Sequence, residues 1–88
     1  MKIYVVGDCG PEHNSVFSVH KTYSGALKAW NKLRLELLNK AKHNLEKSDK
    51  YSKSMYKTMV KNLSCKNPGK IDNYPHETPY IWDYMLKK

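Results

Sequence analysis

Long apolar runs are missing from this chain, and arginine, cysteine and clustered acids are scarce. The apolar stretch Ile3-Tyr4-Val5-Val6 stops at Gly7-Asp8. It is shorter than the core of a secretion signal, and nothing approaches the ~18 apolar residues of a membrane span. Two cysteines, Cys9 and Cys65, make no disulfide framework without an export signal. The expectation is a reduced, cytoplasmic setting with both thiols free and no membrane partner.

Catalytic patterning is equally thin. The acids Asp8, Glu12, Glu36, Glu46, Asp49, Asp72, Glu77 and Asp83 are scattered, and no pair is spaced like a glycosidase or metal-nuclease site. Cys9, His13, Cys65 and His76 are zinc-ligand types, but C-x3-H and a remote C…H pair lack the close paired spacings of structural zinc sites. Cys9 and His13 could serve as nucleophile and base only if these loop neighbours met at hydrogen-bond distance. His20 and His43 have no partner in the sequence. Gly7-Asp8-Cys9-Gly10 spells GxxG, yet an aspartate at the tip suits a turn better than a nucleic-acid clamp. A small ribonuclease using His and Lys is the catalytic alternative. The reading favours a non-enzyme with no cofactor and no metal.

What remains is basic and foldable. At 88 residues the chain is one domain, 1–88, with a modest core. Apolar content of 40% and aromatic content of 11% argue against disorder. Sixteen Lys and Arg against eight Asp and Glu give a net charge of +8. Such an imbalance bears on partners, namely nucleic acid or an acidic surface. All but Arg34 are lysine. Lysine is a mobile point charge suited to phosphates, whereas arginine reads bases bidentately, so the pattern favours sequence-tolerant binding.

Lys2 to Val6 and Val16 to His20 read as strands, joined across the turn-forming stretch Gly7–Ser15 as a hairpin. Thr22 or Ser24 can cap a long amphipathic helix reaching about Lys47, with an apolar stripe from Tyr23, Leu27 and Trp30 to Leu45. At 1.5 Å per residue it is ~37 Å long, so its end should project past the sheet. Ser48-Asp49 marks a break, and a second helix is predicted from about Lys50 to Leu63. Asn67-Pro68-Gly69, Pro75 and Pro79 make the next segment an irregular connector, with a type II turn favoured at Pro68-Gly69. Tyr80 to Leu86 closes the chain as a strand. The prediction is an α+β fold, β-β-α-α-β. Its three-stranded antiparallel sheet, with the last strand beside the first, packs on the long amphipathic helix and a second, basic helix.

Charge is uneven. Asn39 to Lys70 holds nine lysines against Glu46 and Asp49, which is +7 of the total +8. Within it, Lys50, Lys53, Lys57 and Lys61 fall within an arc of about 80° on a helical wheel, opposite Met55, Met59 and Leu63. Like charges at i,i+4 cost roughly 0.2–0.5 kcal/mol per pair, and no acid interrupts the row. Either this is an ordinary solvated face or it binds phosphates with help from Lys47, Lys66 and Lys70. Arg34 falls inside the apolar stripe, so it either snorkels from the edge or points at a partner's phosphate or carboxylate. The aromatics Tyr80, Trp82 and Tyr84 share one face of the last strand. That face is either the core side, under Trp30 and Leu37, or an open stacking platform for bases with Tyr4. Ile81 and Met85 fit the core equally well, so alternation alone leaves the register undecided.

Met1-Lys2-Ile3-Tyr4-Val5-Val6-Gly7, then Val16-Phe17-Ser18-Val19-His20-Lys21-Thr22-Tyr23-Ser24-Gly25-Ala26-Leu27-Lys28-Ala29-Trp30, and the closing Ile81-Trp82-Asp83-Tyr84-Met85-Leu86 carry a resemblance. In layout the chain resembles small accessory proteins of tailed phages, especially early proteins of T-even-type phages. In size and basicity it is similar to TifA-like inhibitors of ToxN-type endoribonuclease toxins. The resemblance implies a counter-defence or host-takeover protein of the host cytoplasm that binds host factors without being an enzyme. Its partners would be RNA or another polyanion, or a host or defence-system protein such as a toxin endoribonuclease. It assigns a role to no single residue. Many phage inhibitors are acidic nucleic-acid mimics, and this basic chain departs from that pattern.

Overall fold

The β-branched and aromatic opening of the chain forms strand β1 (Lys2–Cys9), and β2 (Asn14–His20) returns antiparallel beside it. These assignments come from a computed structural model that describes residues 1–10, 13–72 and 76–86. Helix α1 (Tyr23–Lys47), helix α2 (Lys53–Leu63) and strand β3 (Thr78–Met85) complete the order β-β-α-α-β. The sheet order is β2-β1-β3, all antiparallel, so the first strand is central and the last lies beside it. This is the expected α+β architecture.

Several boundaries differ from the sequence reading, among them those of β3, which runs Thr78–Met85 rather than Tyr80 to Leu86. The strands run on into the supposed nine-residue loop, because Asp8↔Ser15 and Cys9↔Asn14 continue the ladder. Gly10 N then donates to His13 O at 2.9 Å across what remains of the turn. The second helix begins at Lys53 rather than Lys50, since residues 50–52 form a turn over Asp49. In the connector, Lys70 N and Ile71 N both donate to Asn67 O, at 3.0 and 3.1 Å, and Gly69 does not take the left-handed φ that the expected type II turn requires. Loop positions 11 and 12, connector positions 73–75 (including the expected Pro75) and 87–88 lie outside the described residues.

Side-chain alternation splits the sheet into two faces. Tyr4, Val6 and Ile81 point toward the helices and join Ala26, Trp30, Leu33, Leu38, Ala41, Leu63 and Ile71 in the main core. Val5, Cys9 and Tyr80, with Ile3 and Trp82, form a second cluster on the opposite face. The aromatic side of β3 is therefore not the helix-facing core side. The register Val6↔Ile81 puts Ile81 under the helices and turns Trp82 away. On β2, the register shifts between Val6↔Ser18 and Gly7↔Val16, which leaves Phe17 as the extra residue of a bulge.

Thr22 caps α1, its hydroxyl accepting from Gly25 N at 3.1 Å. α2 folds back along α1 and packs chiefly on that helix rather than on the sheet. The molecule is accordingly long, 54 × 23 × 19 Å. No helix among the described residues is long and apolar enough to cross a membrane.

Candidate polyanion-binding surface

The basic face begins with how α2 is started. The chain leaves α1 at Ser48, whose hydroxyl donates back to Leu45 O at 2.7 Å. Asp49 Oδ1 then accepts from Ser52 N at 2.8 Å and from Tyr51 N at 3.1 Å, while its carbonyl accepts from Lys53 N. These bonds hold its carboxyl below the ordinary aspartate range, the Ser52 amide contributing most. The one acid at this turn thus sits where the helix dipole favours it and where Lys50 and Lys53 do not help.

Lys53, Lys57 and Lys61 are all exposed along α2. Tyr56, Met59 and Val60 are partly buried on the other side, and Leu63 is fully buried. Lys50 lies in the preceding turn, and Lys47 in the last turn of α1; both are exposed. Lys66 and Lys70 follow in the connector and are also exposed. Among the described residues, none of these seven amines has a carboxylate within ion-pair distance; the only lysine bridge is Lys2 Nζ–Asp83 Oδ2, 3.0 Å, at the far end of the sheet.

Two cavities adjoin the lysines. Lys61 borders one of about 320 Å³ together with Thr58, Asn62, Cys65, Asp72 and His76. Asn62 organises it, donating to Asp72 O at 2.7 Å, accepting from Asp72 N at 2.9 Å and lying 3.0 Å from His76 Nε2. Lys66 borders another cavity, of about 390 Å³, which it shares with Lys28 and Trp30. Lys28 lies outside the basic block of the sequence and was not singled out there.

Arg34 does not belong to this surface. It is only 3% exposed, with Nη1 donating to the Leu63 carbonyl at 2.8 Å. Nε and Nη2 both donate to Asn31 Oδ1, at 3.1 and 2.7 Å. Its guanidinium also lies 5.8 Å from the Trp30 ring centroid. The side chain neither snorkels nor reaches outward. It satisfies a carbonyl at the C-terminal end of α2 from inside the helix pair, which is why the lone arginine sits in an apolar stripe.

The thiols and imidazoles fall into separate places. Cys9 is buried, 3.8 Å from Thr78 Oγ1, and burial pushes its thiol above the ordinary range, the opposite of an activated nucleophile. Cys65 is a second free thiol, 3.6 Å from Asn67 O. His13 turns instead to Asp8 and Glu77, with Nε2 3.6 Å from Asp8 Oδ2 and 4.0 Å from Glu77 Oε1. Nothing local in the sequence points to this trio, because Glu77 reaches it only through the pairing of β3 with β1.

Comparison with known proteins finds no matching family profile, no similar curated protein and no similar solved structure.

Proposed function

We propose that this protein is a non-enzymatic binder of RNA, or of a ribonucleoprotein, which it grips through the lysine-rich face of α2. The observation that carries the reading is that Lys53, Lys57 and Lys61 stand exposed in one row, none of them in an ion pair with a carboxylate among the described residues. A helix selected only for stability would alternate its charges. Compact ammonium groups in a row suit successive phosphates, and displacing condensed counterions supplies the affinity. The expected mode is sequence-tolerant. The resemblance to small phage proteins gives the binding a setting in counter-defence or host takeover, the most specific form being restraint of an endoribonuclease toxin held with its RNA.

A second reading is favoured by a different observation. The sheet face away from the helices carries Val16, Val19, Trp82 and Tyr84, with no charged residue among the described positions of that face. In that reading the protein inhibits a host enzyme or defence effector directly. Its lysines would steer it to an acidic patch, and a few aromatics would carry the affinity.

Purification from cells separates the two. An absorbance ratio that falls after nuclease treatment, with released RNA, supports the first. A preparation free of nucleic acid that binds neither single- nor double-stranded RNA at low salt overturns it.

A further inference from the structure

Beyond that reading, three segments distant in sequence bring metal-ligating atoms to one point. Asp8 comes from the end of β1, His13 from the hairpin turn, and Glu77 from the residue before β3. One ligand atom from each lies within 4.8 Å of the others. The His13 ring is accommodated by Gly10, where a Cβ would come 3.0 Å from its Cε1.

The spacing is informative. The Nε2 separations of 3.6 Å from Asp8 and 4.0 Å from Glu77 are too long for hydrogen bonds. The Asp8 separation sits at the upper edge, and the Glu77 separation a little beyond it, of the roughly 3.0–3.6 Å between neighbouring ligand atoms that each stand ~2.1 Å from one ion. Asp8 and Glu77 also face each other across the same point as His13. Neither acid forms an ion pair with a lysine among the described residues, although the chain carries sixteen Lys and Arg. A dication between them would draw the three donors together to ordinary ligand spacing.

We infer that Asp8, His13 and Glu77 form a site for a first-row divalent cation, with Zn²⁺ the best fit to one imidazole and two carboxylates. Three protein ligands leave a position for water. The ion would fasten the β1–β2 turn to the entry of β3, tying the hairpin to the strand that follows the connector. Its role there is to hold the Cys9–Thr78 end of the sheet together, and binding would raise stability by mass action.

The test is titration of the full chain with Zn²⁺ alone, by calorimetry and by thermal melting. One ion per chain is expected, with Tm rising by about 10 °C at a hundredfold excess over Kd. His13→Ala and Glu77→Gln should each weaken binding about tenfold or more. A Cys65→Ser/His76→Ala double variant should bind as the parent does. In the parent, Co²⁺ should broaden the His13 ring resonances first, a readout independent of how the variants fold. Absence of saturable uptake, unchanged affinity in both ligand variants, or broadening centred on His76 overturns the site.

Discussion

The Tyr80 ring on β3 lies across Gly7 on β1 and sends its hydroxyl to the Ser15 carbonyl on β2, 3.3 Å away. One side chain therefore spans all three strands. A Cβ on residue 7 would stand 2.5 Å from Tyr80 Oη and 2.7 Å from Cζ, and would strike the Ser15 carbonyl as well. Glycine in a central strand usually weakens it, but here it permits a close approach that buries Tyr80 and stacks it on Trp82 at 4.1 Å. Gly7→Ala should destabilise the fold by about 2–4 kcal/mol, lowering Tm by about 10 °C or more in a thermal melt. An unchanged Tm would mean that Tyr80 does not occupy this position.

Arg34 should behave as a structural residue. Arg34→Met leaves the Leu63 carbonyl without its donor, and a loss of roughly 2–4 kcal/mol in denaturant unfolding is expected. Arg34→Lys should restore little, because one ammonium cannot serve both Leu63 O and Asn31 Oδ1 in the planar fork geometry. A stable Arg34→Lys protein with weakened RNA binding would return Arg34 to the surface.

How far the sequence could be read follows from what each feature depends on. The long helix was legible because its signals are local: a threonine cap, apolar residues at helical spacing and a Ser-Asp stop. The lysine row on α2 was legible for the same reason. The inner end of the hairpin was not, since Gly7 and Cys9 look like turn residues until Tyr80 and Thr78 arrive from the other end of the chain. Strand alternation grouped Tyr80, Trp82 and Tyr84 correctly but could not say which group faces the helices. That depends on the register Val6↔Ile81, a long-range pairing. Arg34 was unreadable because its partner is a carbonyl 29 positions away. The Asp8, His13 and Glu77 meeting point depends on the same β1–β3 pairing.

The two tryptophans should report the two faces separately. Trp30 is fully buried in the main core, whereas Trp82 is partly exposed on the face away from the helices. With Trp82→Phe, the remaining emission should be blue-shifted and resistant to acrylamide. With Trp30→Phe, the remaining Trp82 emission should be red-shifted and readily quenched. The reverse ranking would place Trp82 under the helices.

Asp49 gives the start of α2 a pH dependence whose sign is fixed. Its folded pKa is lowered from the ordinary 3.8, so its contribution is present above that value and is lost as pH falls through the folded one. Helical signal from α2 should therefore decrease in acid below about pH 4, where the unfolded chain takes up the proton first. Asp49→Asn keeps an acceptor without the titration and should flatten this part of the profile. Chemical shifts of Ser52 and Lys53 that move equally in both proteins would contradict the assignment.

The central claim is that the α2 lysines meet phosphates, and a salt series tests it most directly. With a single-stranded RNA, log K against log salt should fall with a slope of about −3 if four phosphates are neutralised. In Lys53→Glu/Lys57→Glu/Lys61→Glu the slope should drop to about −1 or shallower, with affinity at low salt reduced more than about tenfold. A triple variant that folds normally and binds RNA with the parent's affinity and slope would contradict the account.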